Sequence, residues 1–129
     1  MTTALTATTT PATTTALVHE FYRRIDAGDV PALVALFTED AVYHRPGYPP
    51  LVGRHEVAHF YTHERVIKES THRVESVVRE GDRVAVRGTF EGVLRDGTPA
   101  GWRYAEFFTL AADDDRFSER ETFFSTPLA

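Results

Sequence analysis

The hydrophobic period of this chain changes once, near residue 70, and that change sets the fold class. Before it, apolar residues recur at helical spacing: Leu17, Phe21 and Ile25 form one stripe, with Val18 and Tyr22 beside them. After it the period is two. Thr71–Arg79, Arg83–Glu91, Gly101–Leu110 and Phe117–Ser125 read as four strands. Glu80-Gly81-Asp82, Arg95-Asp96-Gly97 and Asp113-Asp114-Asp115 supply the turns between them. Long strands joined by tight turns make an antiparallel meander, and the preceding helices must cover one of its faces. The expected class is α+β, with three N-terminal helices on a curved antiparallel sheet.

The helical part can be divided further. Gly28 suits the position just past the first helix. Asp29 is placed to cap a second helix, with Pro31 in its first turn and Leu33, Leu36 and Phe37 on its apolar side. A short strand, Ala41 to Arg45, precedes a loop forced by Pro46, Gly47, Pro49 and Pro50. A third helix is expected from about Arg54 to Lys68. Nine of the first fifteen residues are Thr. Such a segment buries too little apolar surface to order itself, so residues 1–15 are expected to be a disordered tail and 16–129 a single domain. The tail lacks the basic start and apolar stretch of a secretory signal.

Composition narrows the function. With 129 residues the chain is long enough for one core, and it has no cysteine, which excludes disulfides, thiolate metal sites and cysteine nucleophiles. A net charge of −5 without a dense basic run argues against nucleic acid as a partner. No apolar run approaches the roughly 20 residues that span a bilayer, so no membrane partner and a cytoplasmic location are expected. Nine Phe, five Tyr and one Trp suggest a lined cavity, a subunit interface or both.

His55-Glu56-Val57-Ala58-His59 matches the helical HExxH signature of zinc peptidases, and His63 repeats the spacing. Helical geometry opposes the literal reading. With Val57 at the origin and about 100° per residue, Phe60, Tyr61, Glu64 and Ile67 fall within roughly 80° of it. His55 and His59 land on the opposite face, toward solvent. Zinc ligands belong instead in a cleft with supporting partners. No metal is expected.

The run from Asp26 to His44, DAGDVPALVALFTEDAVYH, resembles the start of the nuclear transport factor 2-like superfamily, in its SnoaL-like and ketosteroid isomerase-like branch. Leu51 to Tyr61, LVGRHEVAHFY, resembles that family's third helix, which explains the HExxH match. Glu80 to Gly92 resembles its central hairpin, and Phe107 to Leu110 with Phe117 to Phe124 its last two strands. The resemblance implies a cone-shaped fold whose pocket lies between the concave sheet face and the helices. It also implies a small-molecule ligand or substrate and a homodimer through the outer sheet face. Aligning Pro46 with the family's loop proline turns Tyr43 and Arg45 inward. Alternation then points Ala85, Arg87, Thr89 and Glu91 inward, followed by Trp102, Tyr104, Glu106 and Phe108, then Arg120, Thr122 and Phe124. A one-residue slip inverts any of these sets. On Arg83–Glu91 the alternate set, Val84, Val86 and Phe90, is the more apolar, which requires a buried outer face.

No known chemistry of the family is matched in full. Ketosteroid isomerases use an aspartate base after the first strand with a Tyr and a protonated Asp as oxyanion hole. Here Arg45 stands at the base position, Phe21 at the tyrosine with Tyr22 one residue off, and Glu106 at the second carboxylate. Limonene-type epoxide hydrolases hold a water beside an Asp-Arg-Asp relay. Tyr43 and Arg87 match two of the elements, but Thr89 and Thr122 replace the aspartates. SnoaL-type cyclases use an Asp/His pair, and only His44 is near. The residues themselves place Glu106 as candidate general acid/base, Tyr104 as proton donor or oxyanion partner, and Arg45 and Arg87 as anion holders. His44 is the preferred histidine over His63 and His72. Tyr43, Tyr48, Trp102, Phe108, Arg120, Thr122 and Phe124 are expected to bind substrate. The expected activity is cofactor-independent acid–base chemistry on an apolar oxygenated molecule: cyclisation, isomerisation, dehydration or hydration, as in natural-product tailoring. A non-catalytic ligand-binding dimer is the alternative.

Overall fold

The computed structural model describes residues 4–113 and 115–125, with side chains from residue 13 onward. The expectations for residues 1–3, Asp114 and 126–129 lie outside them. Helix α1 spans Ala4–Ala27 and α2 Val30–Val34. Strands β1 (Phe37–His44) and β2 (Leu51–Val52) precede α3 (Arg54–His59), which continues as a π-helical turn, Phe60–Glu64. Then come β3 (Ile67–Glu80), β4 (Arg83–Leu94), β5 (Pro99–Leu110) and β6 (Phe117–Ser125). The strands form one curved open sheet in the order β2-β1-β6-β5-β4-β3. Neighbours run antiparallel except β1 and β6, which are parallel. No described helix is long and apolar enough to cross a membrane.

The stripe on α1 makes the core. Val18, Phe21, Tyr22 and Ile25 are buried on the inner face of the sheet. Phe21 meets Phe37, Phe108 and Phe117 edge-on at 5.2 to 5.7 Å between ring centroids. Burying one such side chain stabilises by roughly 1.5–3 kcal/mol. Gly28, at φ 72°, ends α1 in the left-handed conformation, and the Asp29 amide donates back to the Arg24 carbonyl. Asp29 caps α2 by accepting from the Ala32 amide at 3.2 Å.

Four expectations change. The helix starts well before the boundary placed at residue 15: Thr14 is buried, and Arg79 on β3 donates to its hydroxyl at 2.9 Å. Phe37 opens β1 instead of lying on α2, fully buried against Phe21 and Phe117. The third helix stops at Glu64, not Lys68. Arg65 is already extended (φ −63°, ψ 126°), and β-branched Val66 and Ile67 lead into a strand whose first pair is Ile67 with Leu94.

The fourth change inverts β4. Val84, Val86, Gly88 and Phe90 face inward, and Arg87 and Glu91 face out. Register requires this. Val86 pairs with Glu106 and Gly88 with Tyr104, and directly paired residues share a face. The more apolar set takes the buried side. Gly88 is needed there because the Tyr104 ring lies across it: a Cβ would sit 2.6 Å from the Tyr104 hydroxyl and 2.1 Å from the Arg73 carbonyl. On the outer face Phe107 and Phe123 stay 50% and 48% exposed and pack edge-on at 5.8 Å.

Candidate active site

A cavity of about 600 Å³ opens between the inner sheet face and the α3 segment. Its deepest polar group is Glu106 on β5, 1% exposed. Both its oxygens are engaged. Tyr22 of α1 donates to Oε1 at 2.5 Å. Arg120 of β6 donates from Nη2 to Oε1 at 3.1 Å and from Nε to Oε2 at 2.6 Å. Thr122 donates to Oε2 and stands 3.0 Å from the Tyr43 hydroxyl. Arg120, 4% exposed, spends its remaining Nη1 on the Tyr61 hydroxyl at 2.6 Å. Its guanidinium also lies over the Phe21 and Tyr43 rings. Burial opposes the Arg120 charge, but Glu106 and the tyrosine oxygens outweigh it and push its pKa well up. Tyr22 and Tyr43 are raised chiefly by burial. The pair is thus a closed network, with no acceptor position of Glu106 left free.

The second polar group joins α1 to β3. Asp26 accepts from the Ser70 hydroxyl at 2.8 Å, from the His72 amide at 2.8 Å and from His72 Nδ1 at 2.6 Å. Burial works against the ionised form of Asp26, but the bonds from His72 and Ser70 prevail and hold its pKa below the ordinary value. An ionised Asp26 can only accept. Nδ1 therefore carries the proton, and in the neutral ring Nε2 keeps its lone pair. No described residue is hydrogen-bonded to Nε2. The ring, whose side chain is 9% exposed, stacks on Tyr22 at 4.9 Å and lines the cavity. Tyr104 stands edge-on to it at 5.5 Å, and among the described residues none makes a well-formed hydrogen bond to the buried Tyr104 hydroxyl, although the Tyr22 hydroxyl is near enough to influence it. Burial, and after it the Glu106 charge, raises the pKa of that hydroxyl.

At the mouth, the loop after β1 holds Arg45. Its guanidinium lies between the Tyr48 and Phe60 rings, 4.8 and 4.6 Å from their centroids. Nη2 donates to the Pro49 carbonyl at 3.2 Å, while Nε is buried without a partner.

The cavity gathers Glu106, Tyr104, Arg45, Tyr43, Arg120, Thr122 and Phe124, the inward sets read from alternation, together with Tyr48 of the loop after β1. It does not gather Arg87 or His44. Arg87 is on the outer face, 61% exposed and 3.5 Å from Glu75. His44 follows inward Tyr43 on β1, so it points out, where its Nε2 meets Glu119 at 3.0 Å. Phe108 is core, its ring tilted against Phe117 at 4.3 Å behind the cavity. Trp102 backs the wall instead of lining it, stacked between Phe90 and Phe124. In the HExxH helix Val57 is buried and His55 and His59 face solvent, with Glu56 accepting from the Val52 amide. Among the described residues no three His, Asp or Glu side chains converge as a metal site.

Asp26 was not among the expected site residues, and His72 ranked behind His44. A local signal existed. Asp26 sits in the last turn of α1, where the helix dipole disfavours a carboxylate unless it has a partner.

The model of the SnoaL-like domain family matches residues 18–120. A ketosteroid isomerase-like protein from Erwinia carotovora atroseptica is 25% identical with a TM-score of 0.71, over 90% of this chain and 96% of that one. SalBIII, an epoxide hydrolase/cyclase-like enzyme in pyran ring formation in salinomycin, is 23% identical with a TM-score of 0.76, over 87% and 90%. An LEH-like epoxide hydrolase of M. tuberculosis is 15% identical with a TM-score of 0.75, over 88% and 84%. No curated protein matches the chain.

Proposed function

The chain belongs to the SnoaL-like domain family, and on that premise we propose that it is an enzyme moving a proton on an apolar, oxygenated small molecule. The structural likeness to epoxide hydrolase/cyclase-like enzymes supports an enzymatic role. The observation that carries the reading is the Asp26–His72 pair, with Nδ1 engaged and the ring on the cavity. His72, rather than Glu106, is the general base in this proposal. Nε2 takes a proton from a carbon or hydroxyl beside a substrate carbonyl, Asp26 stabilises the resulting imidazolium, and the same proton is returned elsewhere on the substrate. That cycle balances without a cofactor and covers isomerisation, cyclisation and dehydration. Tyr104, whose hydroxyl has no well-formed hydrogen bond among the described residues, donates to the oxygen that gains charge. Glu106 and Arg120 are positioning residues that fix Tyr22, Thr122 and Tyr61 around the site. The exposed Phe107 and Phe123 support a homodimer through the outer face.

The test is deuterium incorporation at C1 of 2-tetralone in D2O, followed by NMR. Wild-type protein should accelerate exchange, and His72→Gln should lose roughly 10²-fold or more, the low end of general-base contributions. Absence of acceleration, or acceleration unaffected by His72→Gln, overturns the assignment. The closed Glu106–Arg120 network favours one competing reading, a receptor that holds its ligand without turnover. That reading requires bound ligand to be recovered unexchanged.

A further inference from the structure

The charges along the cavity do not balance, and the imbalance is local. Arg120 is neutralised by Glu106, and His72 is held by Asp26. At the mouth Glu64 lies 3.7 Å from His59. Arg45 has no such partner: no described carboxylate is within ion-pair distance, one carbonyl takes one of its five N–H groups, and its Nε is buried and unpaired. A buried guanidinium N–H without an acceptor is unfavourable, and the aromatic clamp of Tyr48 and Phe60 keeps the group in place instead of letting it swing into water. Arg65, laid over the Tyr61 ring, adds a second cation on the same rim with no acidic partner among the described residues.

Position separates this group from the proton-handling pair. Arg45 follows β1 and His72 is on β3, with β6, β5 and β4 between them. Four inter-strand steps of about 4.8 Å put them on opposite walls of the concave face. Phe90, Phe124 and Phe60 line the cavity between those walls.

We propose that Arg45 is a specificity residue that reads a carboxylate, or a similarly planar anionic group, at the end of the ligand remote from His72. The substrate class is then an apolar, aromatic-compatible acid held by its anion at the mouth. This rests on the acid–base reading only for the word substrate, since the preference for an anion holds with or without turnover.

The test uses 3-phenylpropionate and its neutral twin 3-phenylpropanamide. Binding is read from the indole N–H resonance of Trp102, the sole tryptophan, which is stacked on Phe90 and Phe124. Wild-type protein should bind the carboxylate at least tenfold more tightly, the low end for a charge-assisted hydrogen bond. Arg45→Gln should erase that preference, with an unshifted Trp102 indole resonance in the ligand-free variant showing that it is folded. Arg45→Lys, with charge but no fork, should restore part of it. His72→Gln should keep the preference whole, so a failed exchange experiment and a failed anion preference are separate results. Equal affinities in the wild type, a preference that survives Arg45→Gln, or no shift with either compound overturns the proposal.

Discussion

Replacing Glu106 with Leu removes the acceptor for Tyr22, Thr122 and both inner arms of Arg120. It leaves a guanidinium that is 4% exposed with, among the described residues, the Tyr61 hydroxyl as its one hydrogen-bond partner and the Phe21 and Tyr43 rings beside it, but no counter-charge. Breaking a buried pair in this way destabilises by about 3–5 kcal/mol, because the orphaned charge is far worse than the lost bonds. Domains of this size have about 5–15 kcal/mol in total. At a urea slope of about 2 kcal/mol/M, the unfolding midpoint should fall by roughly 1.5–2.5 M. Removing the charge as well should recover most of the loss. The double variant Glu106→Leu/Arg120→Met should be more stable than Glu106→Leu alone, since apolar replacement of a whole buried pair is near neutral. Urea unfolding followed by Trp102 fluorescence measures both. A Glu106→Leu midpoint within about 0.5 M of wild type would refute the closed network. So would a double variant whose loss equals the sum of the two single losses.

Asp26 has a folded pKa below its ordinary 3.8, so its bonds to His72 and Ser70 stabilise fully above that value and are lost as pH falls through the folded pKa. The stability gap between wild type and Asp26→Asn should shrink as pH falls below about 4 in pH-dependent urea titrations; a gap at pH 3 equal to that at about pH 5 contradicts it. Gly88→Ala places a Cβ against the Tyr104 hydroxyl and the Arg73 carbonyl, and should destabilise by about 1–3 kcal/mol with a changed near-ultraviolet tyrosine signal. Gly101→Ala, whose nearest neighbour is 3.4 Å away, should change stability by under about 1 kcal/mol, and equal losses would count against the close packing at Gly88. Phe107→Lys on the outer face should convert a dimer to monomer in sedimentation without lowering monomer stability; a wild type that sediments as a monomer removes the dimer.

How far the fold was legible follows from where one signal acted alone. On β5 and β6 alternation and chemistry agreed, so Tyr104, Glu106, Arg120 and Thr122 were placed on the right face from the sequence. On β4 they conflicted. Turning Arg87 inward built a cluster of arginines around Glu106, yet Val84, Val86 and Phe90 are what water rejects, and the apolar set prevailed. The outer face did not need to be buried to explain them. At residue 65 a helical wheel could be continued through Ile67, but it was blind to the strand that Leu94 offers. The Asp26–His72 pair spans 46 residues and two elements. Only the misplaced acid at the end of α1 hinted at it, because a hydrogen bond across the fold leaves no periodic trace.

The tautomer of His72 is the most direct test of the proposed chemistry, since a base in the cavity requires a bare Nε2. Nitrogen-15 spectra of the imidazole, recorded with the ring neutral, should show Nδ1 protonated and Nε2 unprotonated, and Asp26→Asn should weaken that bias. A dominant Nε2–H tautomer in the wild type would put the donor, not the lone pair, toward the cavity and contradict His72 as the base.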